Sequence, residues 1–244
     1  MTPLLIRRSL AGLTGFALAA GVLTLGSPPA SAAVGDLGIS VAVPASGASI
    51  VAGIAIGPDG NIWTTNTNSN SISRVSPSGG LATTFVTPTA GQPAGIVAGP
   101  DGAMWFTYQG ASKIGRVTMD GTFTEFGYPT PSGSLSIAVG PDGNLWFPMY
   151  TAAKIGRITP AGAVTEFDVG ATPIFITAGP AGSNRMYFGG QQAGAGKIGF
   201  ITMSGASTLV NAGPTVTNVY GVATIEDNVW FIELKPGPTA VLAR

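Results

Sequence analysis

The chain repeats the stretch Gly140-Pro141-Asp142-Gly143-Asn144-Leu145-Trp146-Phe147 at regular intervals. Residues 99–106 follow it closely, residues 57–63 keep its first part, residues 179–188 hold a decayed copy, and residues 229–231 keep only its end. The spacing is about 41 residues, a period that is typical of propeller blades. The repeat therefore predicts an array of similar units rather than a single irregular fold.

One repeat unit, residues 92–126, contains four short segments with strand character. These segments are residues 95–98, 104–107, 113–118 and 123–126, and each is rich in apolar, aromatic or β-branched residues. Proline, aspartate and glycine residues between them favour tight hairpin turns. Four antiparallel strands joined by hairpins describe one blade, so we expect an all-β propeller of four-stranded antiparallel blades.

The two ends of the chain each supply part of one further blade. Residues 36–43 precede the first unit in the place of a fourth strand, and residues 240–244 resemble the third strand, residues 71–74. Pairing of these two segments would close the ring and cover the open sheet edges. We therefore expect five blades, closed by pairing of the N-terminal and C-terminal strands.

The first 32 residues are typical of an export signal. Arg7 and Arg8 are followed by an uncharged apolar run, Leu10 to Leu25, and by the small residues 30–32. The apolar run is shorter than the roughly 20 residues of a membrane-spanning helix. We expect residues 1–32 to be removed and residues 33–244 to form a single propeller domain that is secreted or held at the cell surface, without stable membrane insertion; retention of the leader as an anchor is the alternative.

Composition excludes several classes of function. The leader holds two of the eleven basic residues and none of the eleven acidic ones, so nine basic side chains face eleven acidic ones after its removal. Such a balance offers no basic surface for a phosphate backbone, and we expect no nucleic-acid partner. The chain contains no histidine and no cysteine, which excludes a serine-histidine triad and histidine or cysteine metal ligands.

Two recurring features predict contacts within and between units. Arg116 precedes Glu125 by nine residues, and Arg157 precedes Glu166 by the same interval. A hairpin between them predicts a cross-strand ion pair with a structural role in each unit. The aromatic residue that ends each repeat is expected to pack between adjacent blades, at Trp63, Trp105, Trp146, Tyr187 and Trp230.

The repeats resemble those of the virginiamycin B lyase (streptogramin lyase) family. Residues 140–147, 154–160 and 165–167 match the family pattern almost continuously, and the resemblance covers nearly all of the chain after residue 32. It implies a propeller, of seven blades in the family. It also implies a magnesium-assisted elimination that opens a cyclic depsipeptide antibiotic at its ester, with histidine as the base and glutamates as metal ligands.

Few of the residues that the family uses for catalysis and metal binding have an equivalent in this chain. No histidine is present to act as the base. The resemblance places a glutamate after the Trp-Phe-Thr strand, and only Glu233 keeps it. Glu233 is thus a weak candidate for a magnesium ligand and, with Tyr108, for a catalytic residue; a solvated or hydrogen-bonded structural carboxylate is the alternative. The other units hold Asn66, Tyr108, Met149 and Gly189 at this place.

The mouth of the channel is the expected ligand site. Mostly apolar residues enter the innermost strands, and Asn66, Tyr108 and Tyr220 are the candidate polar contacts to a ligand. The alternative is that these residues only fill the narrow throat of a small ring.

Three functions remain open. We favour an exported, monomeric, non-catalytic propeller that binds a small molecule, a glycan or a protein, because the scaffold is kept and the acid-base residues are absent. The alternative is a magnesium-dependent carbon–oxygen lyase that opens a streptogramin B antibiotic and thereby confers resistance. The third is a decayed copy without activity.

Overall fold

The structure, a computed structural model, describes residues 51–79, 81–235 and 239–243, with residues 51, 235 and 239–243 described as backbone only. The described residues form nineteen strands and no helix, and hence contain no helix long and apolar enough to span a membrane. The strands build five antiparallel sheets in which each strand pairs with its neighbour in sequence. The predicted all-β propeller architecture is confirmed.

Four sheets have four strands each. The first contains β1 (Val51–Ile56), β2 (Ile62–Asn66), β3 (Ser71–Val75) and β4 (Thr83–Val86). The second contains β5 (Pro93–Ala98), β6 (Met104–Tyr108), β7 (Lys113–Val117) and β8 (Phe123–Gly127). The third contains β9 (Ala138–Val139), β10 (Leu145–Met149), β11 (Lys154–Ile158) and β12 (Val164–Asp168). The fourth contains β13 (Thr172–Ala178), β14 (Arg185–Gln192), β15 (Ala195–Thr202) and β16 (Ser207–Asn211).

The fifth sheet has three described strands: β17 (Asn218–Ile225), β18 (Asn228–Lys235) and β19 (Thr239–Ala243). Ala243 lies opposite Phe231, as Ser73 lies opposite Thr64 in the first sheet, so β19 occupies the predicted place of a third strand. Residues 1–32 and 36–43 lie outside the described residues. Closure of the ring by residues 36–43 therefore stays a prediction.

In the first three sheets the hairpin between the first and second strands follows from the Gly-Pro-Asp-Gly sequence. In the second sheet the Gly99 amide donates to the Ala103 carbonyl, and Gly102 adopts a φ of 74°, which a residue without a side chain adopts at little cost. The Asp101 carboxylate accepts a hydrogen bond of 2.8 Å from the Trp105 indole. The turn thus fixes the orientation of the large ring in the next strand.

The core lies between consecutive sheets. Trp63, Trp105 and Trp146 are fully buried, and each packs against apolar residues of the following sheet, as predicted. Phe106 of the second sheet lies flat over Gly115, where an added Cβ would come within 2.1 Å of the ring. The same pairing of a phenylalanine with a glycine recurs in the third and fourth sheets, at Phe147 with Gly156 and Phe188 with Gly199.

An arginine in the third strand of the sheet joins the turn, the tryptophan and the next sheet. The Arg157 guanidinium lies 5.5 Å from the Trp146 ring and 5.4 Å from the Phe167 ring, and 3.9 Å from Asp142. It donates a 2.9 Å hydrogen bond to the Met203 carbonyl in the fourth sheet. We call this arrangement the arginine lock. The first sheet repeats it with Asp59, Trp63, Arg74 and the Met119 carbonyl.

The predicted ion pairs between the third and fourth strands are wrong. Arg116 lies opposite Thr124, and Glu125 lies opposite Gly115. Arg116 pairs instead with Asp101 at 2.6 Å. The cause is a turn of three residues, which shifts the register by one and moves the two side chains to opposite faces. The third sheet shows the same register, with the opposed residues Arg157 and Thr165, and Glu166 and Gly156.

Contacts between sheets follow the order of the chain. The innermost strand β5 packs on β1, β13 packs on β10, and β17 packs on β13 and β14. Among the described strands, no comparable contact joins β1 to β17. The first and fifth sheets are thus the two ends of a row of packed sheets.

Candidate binding surface

All of the predicted site residues lie at one end of the sheets, where the second strands end and the innermost strands begin. Asn66 is opposite Val51 at the start of β1, and Glu233 is opposite Val219 near the start of β17. In the fourth sheet the position equivalent to Met149 is held by Gly190, and the predicted Gly189 is wrong. Gly190 lies opposite Lys197, just as Met149 lies opposite Lys154 in the third sheet.

Tyr108 is fully buried between the first and second sheets. Its hydroxyl donates a 2.6 Å hydrogen bond to Glu125, which also accepts hydrogen bonds from the Lys113 ammonium at 2.8 Å and from the Thr89 hydroxyl at 2.7 Å. Burial and the neighbouring Glu125 carboxylate raise the pKa of Tyr108 well above its ordinary value. Tyr108 is therefore a neutral hydrogen-bond donor inside the core, a poor base at neutral pH.

Glu125 is the centre of this buried network, which we call the glutamate clamp. Burial by itself raises the pKa of the Glu125 carboxyl, but hydrogen bonds from Lys113, Tyr108 and Thr89 together hold the pKa below its usual value. Thr89 lies in the connection between the first and second sheets, so the clamp fastens that connection to the outermost strand β8. A second clamp joins Glu166, Thr130 and Lys154 in the third sheet.

The sequence prediction missed the clamps, although a signal was present. The threonine precedes the glutamate by 36 residues in both copies. This equal spacing crosses the boundary between two repeat units, whereas the predicted ion pairs join neighbouring strands within one unit.

Asn66 is fully buried on the first sheet. Its side-chain amide donates hydrogen bonds to the hydroxyls of Ser71 at 3.1 Å and Ser73 at 2.8 Å. The Ser73 hydroxyl is in turn 3.1 Å from the Thr84 hydroxyl. Among the described residues, the Asn66 carbonyl oxygen and the Thr64 hydroxyl have no hydrogen-bond partner. Asn66 thus belongs to a polar cluster within the sheet rather than to an open channel mouth.

Glu233 and Tyr220 lie on opposite faces of the fifth sheet. Glu233 is buried and opposite Val219, whereas Tyr220 is half-buried and opposite Ile232. Alternate residues of a strand point to opposite faces, so the two side chains do not converge on one site. Among the described residues, no group of three or more acidic, histidine or cysteine side chains is arranged to hold a metal ion.

The surface of this end carries exposed uncharged polar side chains beside charged ones such as Lys113 and Asp168. Five of the uncharged ones lie in the connections between strands or, for Gln192, at the end of β14, and we call them the amide rim: Asn68, Gln92, Gln109, Thr151 and Gln192. Backbone hydrogen bonds hold the connections in place, for example from the Gln109 amide to the Gln92 carbonyl at 2.9 Å. Amide side chains both donate and accept hydrogen bonds, so the rim suits a neutral polar ligand.

Comparison with known proteins identifies related structures. Residues 39–242 match the model of the virginiamycin B lyase family. No curated protein matches the chain. The selenomethionine-substituted virginiamycin B lyase from Staphylococcus aureus is 37% identical, with a TM-score of 0.68 over 75% of this chain and 62% of that chain.

Two further solved structures are similar. One is a catalytically inactive histidine-to-alanine variant of the Staphylococcus aureus enzyme with quinupristin, which is 36% identical, with a TM-score of 0.71 over 77% of this chain and 64% of that chain. The other is a streptogramin B lyase, which is 28% identical, with a TM-score of 0.66 over 78% of this chain and 66% of that chain. The chain thus spans slightly less than two thirds of the length of these relatives.

Proposed function

This chain belongs to the virginiamycin B lyase family, and from that premise we propose that it is an exported, non-catalytic member that binds a small molecule, a glycan or a protein. The proposal combines the family's propeller with a site that lacks the groups needed for the elimination. Fold similarity by itself does not transfer an activity, so the residues of the site decide between binding and catalysis.

The absence of histidine from the whole chain is the observation that carries the proposal. A related virginiamycin B lyase is catalytically inactive when one of its histidines is replaced by alanine. General-base catalysis needs a group whose pKa lies near the working pH. The raised pKa of Tyr108 removes that tyrosine as a substitute base.

The residues present do not fit the magnesium ion that the family implies. Mg²⁺ prefers several oxygen ligands in octahedral geometry, commonly with one or two carboxylates and the substrate. Glu233 belongs to no group of three potential ligands among the described residues. A metal-assisted step is therefore not part of the proposed function.

The amide rim supports a binding role. Its exposed side chains carry no charge, so they offer hydrogen bonds to neutral groups such as peptide amides and sugar hydroxyls. Quinupristin, the cyclic depsipeptide in the structure of the related enzyme, is a practical first probe of this surface. We expect Gln109→Ala on the rim to weaken binding of a rim ligand. Ser78→Ala, at the opposite end of the first sheet, is the matched control.

The alternative is a lyase, which the 37% identity to a virginiamycin B lyase and the retained Glu233 favour. Purified protein is incubated with a type B streptogramin and Mg²⁺, and mass spectrometry follows opening of the ring, with the Staphylococcus aureus enzyme as the positive control. We expect the antibiotic to stay intact. Ring opening that is lost in Glu233→Gln would overturn the non-catalytic proposal.

Export is tested separately. Protein recovered from the culture medium is expected to begin at Ala33, which intact mass spectrometry measures directly. Protein found only in the cell with residues 1–32 attached would contradict export with cleavage.

A further inference from the structure

Gln92, in the connection that leads into β5, has a backbone conformation that its residue type disfavours. Its φ is 58°, in the left-handed region, where the side chain of an L-residue crowds the backbone. Gln92 also precedes Pro93, and the residue before a proline is pushed toward extended conformations. Such conformations cost free energy and persist only where the surrounding structure holds them. A glycine would adopt the same conformation at little cost.

Hydrogen bonds to two other connections hold Gln92 in this conformation. Its backbone amide donates a 2.8 Å hydrogen bond to the Asn70 carboxamide oxygen, and its carbonyl accepts a 2.9 Å hydrogen bond from the Gln109 amide. Asn70 is itself anchored, because its carbonyl accepts hydrogen bonds from the amide and the hydroxyl of Thr87, both at 2.9 Å. The following residue, Pro93, is buried. The backbone of Gln92 is thus fixed from both sides.

The third sheet has a glycine at the equivalent place. The Gly133 carbonyl accepts a hydrogen bond from the Tyr150 amide, as the Gln92 carbonyl does from the Gln109 amide. A side chain on Gly133 would strike the Gln109 carbonyl oxygen, which is 2.0 Å from the added Cβ, whereas the side chain of Gln92 is exposed. The second sheet therefore has room for a side chain where the third sheet has none.

The side chain of Gln92 adds no hydrogen bond to the fold. Among the described residues its carboxamide has no hydrogen-bond partner, and only its backbone is bonded. The carboxamide lies beside Gly110, where an added Cβ would be 3.4 Å from its oxygen. Gln192, another residue of the amide rim, differs, because its carboxamide donates a 2.5 Å hydrogen bond to the Gly170 carbonyl. The Gln92 carboxamide is thus available to a ligand, whereas that of Gln192 is used within the fold.

We propose that Gln92 is the residue of the amide rim that contacts and selects the ligand. This assignment rests on the proposed binding function, within which it names the contact residue. Because the backbone of Gln92 is already fixed, binding orders only its side chain, which favours affinity. A carboxamide presents a donor and an acceptor side by side, so it suits a neutral ligand that carries amide groups. The strained backbone is then the cost of presenting this side chain.

Three variants separate a binding role of Gln92 from a structural one. Gln92→Gly removes the carboxamide and relieves the strained backbone, whereas Gln92→Ala removes the carboxamide alone. Glu226→Gly is the matched control. Glu226 also has a left-handed conformation, with a φ of 52°, and is exposed in the turn between β17 and β18, at the opposite end of the sheets. Circular dichroism measures the melting temperature, and isothermal titration calorimetry measures binding of quinupristin to the whole purified protein.

We expect Gln92→Gly to be more stable than the wild-type protein and to bind less well. Its melting temperature should rise by about 1 to 3 °C, as in Glu226→Gly, because both changes relieve a left-handed conformation. Both variants of Gln92 should bind quinupristin about tenfold more weakly, since each loses the hydrogen bonds of the carboxamide. Glu226→Gly should bind quinupristin as the wild-type protein does.

A lower melting temperature in Gln92→Gly would show that the side chain stabilises the fold, and would overturn the role of Gln92 in selecting a ligand. Quinupristin binding that both variants of Gln92 keep would also overturn this role, while the proposed binding function would stand. If the wild-type protein binds no quinupristin, the choice of an amide-bearing ligand is wrong and the role of Gln92 is overturned with it. The proposed function would then need a ligand of another kind, such as a glycan.

Discussion

At the scale of single residues, glycines in the third strands decide how closely the sheets can pack. Gly115, Gly156 and Gly199 each make room for a phenylalanine ring from the neighbouring strand. In the first sheet both members of this pair are different: Thr64 takes the place of the phenylalanine and Ser73 the place of the glycine. The ring and the glycine therefore act as one unit of packing.

Replacing Gly115 by alanine is expected to destabilise the fold. The added Cβ would lie 2.1 Å from the Phe106 ring, so the buried ring must shift. Overpacking of this kind costs roughly 1 to 3 kcal/mol. Urea unfolding measures the loss, and Gly127→Ala is the matched control, since its nearest non-neighbouring atom is 4.0 Å away. Equal stability of the two variants would contradict the packing role.

The glutamate clamp predicts a pH dependence. The pKa of Glu125 is lowered in the folded chain, so its ionised form stabilises the fold above the unfolded pKa of about 4.3, and this contribution is lost as the pH falls through the folded value. We expect Glu125→Gln to cost roughly 1 to 3 kcal/mol at neutral pH and much less at about pH 3.

Urea unfolding at the two pH values checks this prediction. Glu226→Gln replaces an exposed carboxylate outside the clamp and serves as the control. A loss of stability in Glu125→Gln that is the same at both pH values would show that the charge of Glu125 is not the cause.

Residue roles were predictable where they follow from the type of side chain. The tryptophans are large and apolar apart from one N–H group, so their burial between sheets could be predicted from the repeat. The partner of Arg116 could not be predicted from the sequence, because a turn of three residues instead of two moves every following side chain to the other face of the sheet. The position of Tyr108 depends on Glu125 and Thr89, which come from different units.

At the scale of the strand and the sheet, the arginine lock is unequally distributed. The fourth sheet has Ala181, Tyr187 and Phe200 in place of the aspartate, tryptophan and arginine. Arg185 instead lies 4.3 Å from the Phe200 ring, within the same sheet. Among the described residues, no arginine joins the fourth and fifth sheets in this way, and the Thr224 hydroxyl donates a 2.6 Å hydrogen bond to the Ala178 carbonyl between them instead.

We expect the fifth sheet to open before the others. Local opening begins where few interactions hold an element to its neighbours. Hydrogen exchange followed by mass spectrometry should therefore show faster exchange in β17 and β18 than in β10 and β11 of the third sheet. Uniform protection of the five sheets would contradict this order. Arg157→Lys, which removes the planar group from one lock, should speed exchange in β15, which ends beside Met203, as a positive control.

At the scale of the whole molecule, the architecture was predictable because the repeat period and the turn sequences agree with each other in every unit. The arrangement of the first and fifth sheets was not predictable, since it depends on contacts between sheets that the sequence of one repeat unit does not determine. The candidate site was predictable only in its location at the strand ends. Local sequence does not show that Asn66, Tyr108 and Glu233 are buried in different sheets.

Residues 36–43 give a prediction at this scale. If they complete the fifth sheet, their removal leaves the edge of β19 without a partner. We expect deletion of residues 34–43 to lower the melting temperature by several degrees, measured by circular dichroism. An equally long deletion within the leader is the control. An unchanged melting temperature would show that this segment does not complete the sheet.

The row of similar boundaries has a consequence for the history of this chain. Each sheet is held mainly by the one before it and the one after it, so a gene that gains or loses one complete unit still encodes surfaces that match. Duplication and deletion of whole units would then be tolerated where small insertions are not. Proteins of this lineage with different numbers of blades are the expected result.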